Sequence, residues 1–169
     1  MKNIIFVVAP QNFRDEEYAE PKKILEEAGF RVVTASTVKG EIYGKIKIRA
    51  NSDILVTDIN PEDYEAIFFV GGSGSSIYFN DEFVHNLIKL FLNSDKIVSA
   101  ICSASVILAN AGILKGKNAT VFYGEADALI KGGANYTAKN VEVDGRILTG
   151  NGPQSAKEFA ENLIKLLSK

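Results

Sequence analysis

Short apolar runs recur along the chain without polar alternation, and stretches of helical length separate them. Ile4–Val8, Ala66–Val70 and Lys96–Ile101 are such runs. This pattern predicts strands covered on both faces. Phe30-Arg31-Val32-Val33-Thr34 reads as a further strand. Between it and the first lies a helix over about 16–28, ended by Gly29, which makes a βαβ opening with a right-handed crossover. A second helix is expected over 81–92, with Asn80 as its cap and Phe83, Leu87, Leu90 and Phe91 inward. A third begins at Cys102 and runs through about Asn110, with Gly112 as its exit. The last, roughly Gln154–Leu167, turns Phe159, Ala160, Leu163, Ile164 and Leu167 inward.

The remaining segments are less regular. Residues 40–50 read as a small hairpin around Gly44 or as an excursion at the sheet edge. Asp53–Val56 starts an extended segment, and Asn60-Pro61-Glu62-Asp63 is turn-like. Ala119–Phe122 suggests a strand, followed by a short helix near 125–130 that Gly132-Gly133 breaks. Tyr136-Thr137, Val141–Val143 and Arg146–Thr149 read as late strands, the last two about an Asp144-Gly145 turn. No repeat or linker divides residues 1–169, so one domain is expected. Strands alternating with helices give an α/β class, with a mostly parallel sheet between helical layers. Ligands in such folds gather beyond the carboxyl ends of the strands.

Composition narrows the partners. Hydrophobic residues are 46% of the 169 and charged residues 24%, as in a folded globule. A formal charge of −2 without a basic block gives no support for a specific nucleic-acid partner. The apolar start resembles a signal peptide only superficially, since Pro10–Glu16 follows without a small-residue cleavage site. No stretch approaches transmembrane length, so no membrane partner is expected. A single cysteine excludes an internal disulfide, and no Cys/His cluster suits zinc. The expectation is a cytoplasmic protein.

That cysteine carries the candidate chemistry. Cys102 directly follows a buried strand and precedes a helix-compatible run, so a sharp turn would lift its sulfur above the sheet. Ala100, Ala104 and Ser105 leave room for close backbone approach, as small neighbours do around a nucleophile elbow. A helix start there favours thiolate, while packing as a small hydrophobe is the competing reading. Glu17 falls on the helical side of Pro21, Ile24, Leu25 and Ala28, where it interrupts an apolar stripe. A carboxyl turned inward needs a partner or keeps its proton; the alternative is a solvent-facing acid favoured by the helix dipole. Its helix starts at the same sheet edge as Cys102, so the two can meet. Gly71-Gly72 ends a strand at that edge, and the Gly72 and Ser103 amides are candidates for holding a developing oxyanion. Gly71-Gly72-Ser73-Gly74 matches neither a dinucleotide fingerprint nor a phosphate loop.

These residues resemble the DJ-1/PfpI (ThiJ/PfpI) superfamily. The resemblance is carried by Glu17 four residues before Pro21, Ala28-Gly29, Val70-Gly71-Gly72 and Ala100-Ile101-Cys102. Leu108–Leu114, Gly132-Gly133 and Asp144–Thr149 support it. It implies a flavodoxin-like three-layer sandwich, commonly dimeric or a higher homo-oligomer, with Cys102 as elbow cysteine, Glu17 as its acidic partner, and Gly72 and Ser103 as oxyanion-side groups. Gly71, Phe122, Tyr123 and Glu125 are further pocket candidates. Tyr43, Tyr78, Phe79 and Phe13 are candidates for subunit contacts or for cover of the sheet. Two departures stand out. Ser103 occupies the place of the histidine that follows the cysteine in protease-like members, and Phe122 that of the histidine in DJ-1-like members. The one histidine, His85, lies mid-helix, where a surface or subunit-contact role is expected.

The resemblance implies several activities. Cofactor-independent glyoxalase- or deglycase-like chemistry on small reactive carbonyls needs only Cys102, with Glu17 relaying a proton. The alternatives are an oxidative-stress sensor or chaperone without turnover, a metabolite-binding relative, and a cysteine peptidase, which the missing histidines weaken.

Overall fold

Ile4 and Phe6 point into one core while Ile5 and Val7 point into another, so the first apolar run is a strand covered by helices on both faces. In the computed structural model, which describes residues 1–169, the chain begins with β1 (Asn3–Val7), β2 (Gln11–Phe13), α1 (Asp15–Glu27), β3 (Arg31–Ser36), β4 (Gly40–Gly44), β5 (Arg49–Ser52) and β6 (Ile54–Leu55). It continues with β7 (Ala66–Phe69), α2 (Glu82–Asn93), β8 (Ile97–Ile101), α3 (Ser105–Asn110), β9 (Asn118–Ala119) and α4 (Ala126–Lys131). Finally come β10 (Asn135–Tyr136), β11 (Val141–Asp144), β12 (Ile147–Gly150) and α5 (Ala156–Leu167).

Seven strands form the main sheet in the order β11-β12-β8-β7-β1-β3-β6. All neighbours are parallel except β11 and β12, which turn about Asp144-Gly145 as the sequence predicts. Leu25 of α1 and Phe159 and Leu163 of α5 cover one face. Phe91 of α2, Ile107 of α3 and Leu129 of α4 cover the other. The result is the expected flavodoxin-like three-layer sandwich. From β1 the chain goes to β3 on one side and later to β7 on the other, so a crevice opens at their carboxyl ends.

Three details differ from the sequence reading. In α2 the buried stripe is Val84, Leu87, Ile88 and Phe91, while Phe83 and Leu90 are about half exposed. The 83/87/90 pattern and the true one are adjacent stripes of the same apolar helix. Asp81, not Asn80, is the cap, accepting the Val84 N–H at 3.2 Å. The segment 119–122 leaves strand geometry after Ala119, because the Thr120 N–H turns to the Thr149 hydroxyl at 3.0 Å instead of a ladder carbonyl.

The 40–50 segment is a hairpin, β4 against β5, and β2 adds to it in parallel as a third strand. Its connecting loop is tied by Asp15, whose carboxylate accepts the N–H groups of Ile46, Lys47 and Ile48 at 3.1, 2.8 and 2.9 Å. Phe13 and Tyr78 are fully buried and belong to the core, whereas Tyr43 keeps an exposed ring. No helix is long and apolar enough to cross a membrane.

Candidate active site

β8 ends at Ile101 in extended geometry, and Cys102 then takes φ 58°. A residue with a side chain adopts this left-handed conformation at a cost of about 1–3 kcal/mol and holds it only where the surroundings over-determine it. Here the strand before and the helix after supply that constraint. One turn of tight helix, Cys102–Ala104, leads into α3. Ala100, Ala104 and Ser105 are fully buried around it. The sulfur is lifted off the sheet end as a nucleophile elbow requires, and Cys102 is half-buried.

Glu17, in the first turn of α1, has no exposed surface. Neither carboxyl oxygen receives a hydrogen bond of proper geometry. Its polar surroundings are the Cys102 thiol, the Gly71 N–H and the Arg14 charge. Gly71 fills the space between acid and cysteine: a β-carbon there would overlap Glu17 Oε2, the Ile101 carbonyl and Cys102 Cβ. Gly72 takes φ 101°, which glycine alone adopts freely. Its carbonyl accepts the hydroxyls of Ser75 at 2.7 Å and Ser103 at 3.0 Å. These bonds tie the β7 loop to the elbow. The Gly72 and Ser103 N–H groups lie near enough to the Cys102 sulfur to favour its thiolate.

Burial pushes the Glu17 carboxyl up to about 7, against the opposing pull of Cys102, Arg14 and the Gly71 N–H. Burial also raises the Cys102 thiol, and the Glu17 carboxylate adds to that rise; the Ser103 and Gly72 N–H groups oppose it without prevailing. A helix start alone would lower a thiol. At this elbow the burial of the sulfur, with the nearby carboxylate second, outweighs it, so the pair holds one negative charge above neutrality and resists a second.

A cavity of about 630 Å³ opens onto this pair. Phe122 and Tyr123, with ring centroids 4.5 Å apart, form part of its wall together with Glu125. Gly71 does not line it but backs Cys102 from beneath. Sequence reasoning missed Arg14 and Lys45 on the β2–β4 side, and Asn151 and Gln154 beyond β12. For Asn151, directly after β12 of the main sheet, that position was an available signal; for Arg14 and Lys45 none was, because β2 carries no periodicity. His85 lies outside the cavity, with Nε2 at 2.9 Å from the Phe79 carbonyl. No cluster of His, Cys, Asp and Glu could hold a metal ion.

The family model described as the DJ-1/PfpI family matches residues 2–166. An uncharacterised protein of Methanocaldococcus jannaschii is 44% identical, over 100% of this chain and 85% of its own. Bacillus subtilis YraA, whose name proposes a cysteine protease, is 32% identical over 99% of both chains. Deglycase PfpI of Pyrococcus furiosus is 30% identical over 96% of this chain and 98% of its own. The crystal structure of a ThiJ/PfpI domain protein from Brachyspira murdochii superposes with a TM-score of 0.96 at 41% identity, covering 98% of this chain and 96% of that one. Sequence, family model and fold agree over nearly the whole length, and the chain belongs to the DJ-1/PfpI family.

Proposed function

We propose that the protein converts small 2-oxoaldehydes to 2-hydroxy acids, with Cys102 as nucleophile and Glu17 as the group that moves protons. The observation that carries this reading is a fully buried carboxyl with no hydrogen-bond partner of its own, set against a cysteine that faces a cavity. A group so costly to bury is kept where its proton affinity is used.

The steps balance without a cofactor. Glu17 takes the thiol proton as Sγ adds to the aldehyde carbon and passes it to the new oxyanion, which gives a neutral hemithioacetal and frees the carboxylate. The Gly72 and Ser103 N–H groups hold the oxygen while it carries charge. The Glu17 carboxylate then takes the proton of the former aldehyde carbon, giving an enediol as the neighbouring carbonyl oxygen is protonated. It returns a proton to the neighbouring carbon as the first hydroxyl loses its own, so that a thioester of the 2-hydroxy acid results. Water cleaves the thioester, releases the acid and restores the thiol. Because the free thiol resists ionisation, transfer to Glu17 accompanies C–S bond formation rather than preceding it.

The same fact weighs against a peroxide sensor, whose cysteine reacts as a standing thiolate. Peptide cleavage needs an acid for the amine leaving group, and no imidazole reaches this cavity. Self-association belongs to the reading on the family resemblance alone.

Methylglyoxal incubated with the wild-type protein should yield lactate. Cys102→Ser should abolish the product, with an unchanged circular-dichroism spectrum. No hydroxy acid from wild type across a panel of small 2-oxoaldehydes would overturn the proposal.

A further inference from the structure

The cavity is larger than a three-carbon substrate needs. Such a molecule displaces about three waters, at about 30 Å³ each, against about 630 Å³ available. What lies beyond Cys102 therefore selects the rest of the substrate.

One wall is set by β2 and β4. They run parallel with Phe13 opposite Gly44, and the Lys45 N–H bonds the Phe13 carbonyl at 2.9 Å. The next residue along each strand, Arg14 and Lys45, are thus neighbours, and both line the cavity. Asp15 fixes this pairing from behind by holding the backbone of residues 46–48. Adjacent cations repel unless an anion joins them. Arg14 has a partial partner, Glu16, at 2.8 Å from Nε, which leaves its other N–H donors free. Lys45 has no carboxylate within ion-pair distance. α1 also starts at this wall without a side-chain cap, but Asp15, Glu16 and Glu17 in its first turn offset its positive end, so the cationic character of the wall rests on Arg14 and Lys45. Glu125, the cavity's other carboxylate besides Glu17, enters from a different element, the turn at Tyr123–Glu125.

Resting on the carbonyl reading of Cys102, we propose that Arg14 and Lys45 form an oxoanion subsite, and that the preferred substrates are 2-oxoaldehydes whose far end carries a phosphate or carboxylate. Arg14 offers a planar fork to such a group and Lys45 a point charge. The covalent steps are those given above; the subsite only binds and orients.

Binding separates this inference from turnover. Isothermal titration of the Cys102→Ser protein would compare lactate, malate and 3-phosphoglycerate, which share a 2-hydroxy acid head and differ at the far end. Malate or 3-phosphoglycerate should bind at least about tenfold tighter than lactate, and the advantage should shrink as salt rises; the tighter of the two identifies the anion. Adding Lys45→Gln, an exposed side chain without a hydrogen bond to lose, should remove most of that advantage. Arg14→Gln should act in the same direction. Equal binding of all three acids, or an advantage that survives both substitutions, overturns the subsite. In parallel, wild type is assayed with methylglyoxal and its 3-phosphooxy counterpart. If the binding advantage holds but neither aldehyde turns over, the carbonyl reading falls and the subsite stands. If methylglyoxal turns over and no anion preference exists, the reverse is true.

Discussion

Asp15 and Glu17 are two buried carboxyls in one turn of α1, and they are treated in opposite ways. Burial works against the charge of Asp15, but N–H bonds from Lys47, Ile46 and Ile48 outweigh it and hold its pKa below the ordinary carboxylate value. Glu17 faces the opposite side, receives no well-formed bond, and is pushed up to about 7. Depth and hydrogen-bond supply act together: Asp15 meets three N–H groups close to the surface, whereas Glu17 lies deeper with no well-formed bond. The first acid organises a loop; the second keeps a proton ready near neutrality. One helix start thus holds a structural carboxylate and, on the proposed function, a chemical one two residues apart.

The comparison can be broken most sharply by removing each acid's charge in turn. Glu17→Gln should lower kcat for 2-oxoaldehyde turnover by about 10²–10⁴-fold, the range of a lost general acid–base, while Asp15→Asn should leave kcat within a few-fold. Similar losses in both would erase the distinction. In the wild type, turnover should rise as pH passes through about 7, where the pair loses its first proton, and steady-state rates across pH 5–9 would show it.

Stability should separate the two acids with opposite sign. The folded Glu17 value lies above its ordinary 4.5, so the native state binds the extra proton between the two values. Wild-type stability should therefore be highest below about 4.5 on this account and fall as pH rises through 7. At about 1.4 kcal/mol per pH unit the loss amounts to about 3 kcal/mol. Urea unfolding of Glu17→Gln should show that slope flattened; an identical slope would contradict the buried acid. Asp15→Asn should destabilise by about 2 kcal/mol at neutral pH, the scale of charge-assisted bonds lost to a neutral acceptor. Because the folded Asp15 value lies below its ordinary one, its contribution is present above that ordinary value and fades on acidification.

The smallest effect expected is Ser103→Ala. Its hydroxyl bonds Gly72 and Ser75, so its loss should cost about 1 kcal/mol and change turnover modestly. A drop as large as that of Glu17→Gln would make the hydroxyl a reacting group.

What the sequence discloses and what it conceals divide along the range of the contacts. The parallel core was legible because Ile4–Val8, Ala66–Val70 and Ile97–Ile101 need cover on both faces, and that need is written in each run. Glu17 was legible as a polar break in an apolar stripe, and Cys102 as a strand–helix junction. The Asp15 loop tie was not, since its donors lie 31–33 residues away on plain backbone. β2 was hidden because three residues of mixed polarity carry no periodicity. Arg14 and Lys45 became neighbours only when that strand joined the hairpin. Phe83 and Leu90 misled because α2 is apolar on more than one stripe, and only the sheet decides which stripe turns inward.

The left-handed kink at residue 102 has a consequence for how this architecture can change. Aiming is done by the main chain, so a serine placed there would be presented at the same spot as the sulfur. Presentation is thus generic, whereas reactivity, on the proposed function, is local to the acid beneath. Descendants of such a scaffold can exchange their chemistry by altering a few side chains around a fixed pedestal, without redesigning the pedestal itself.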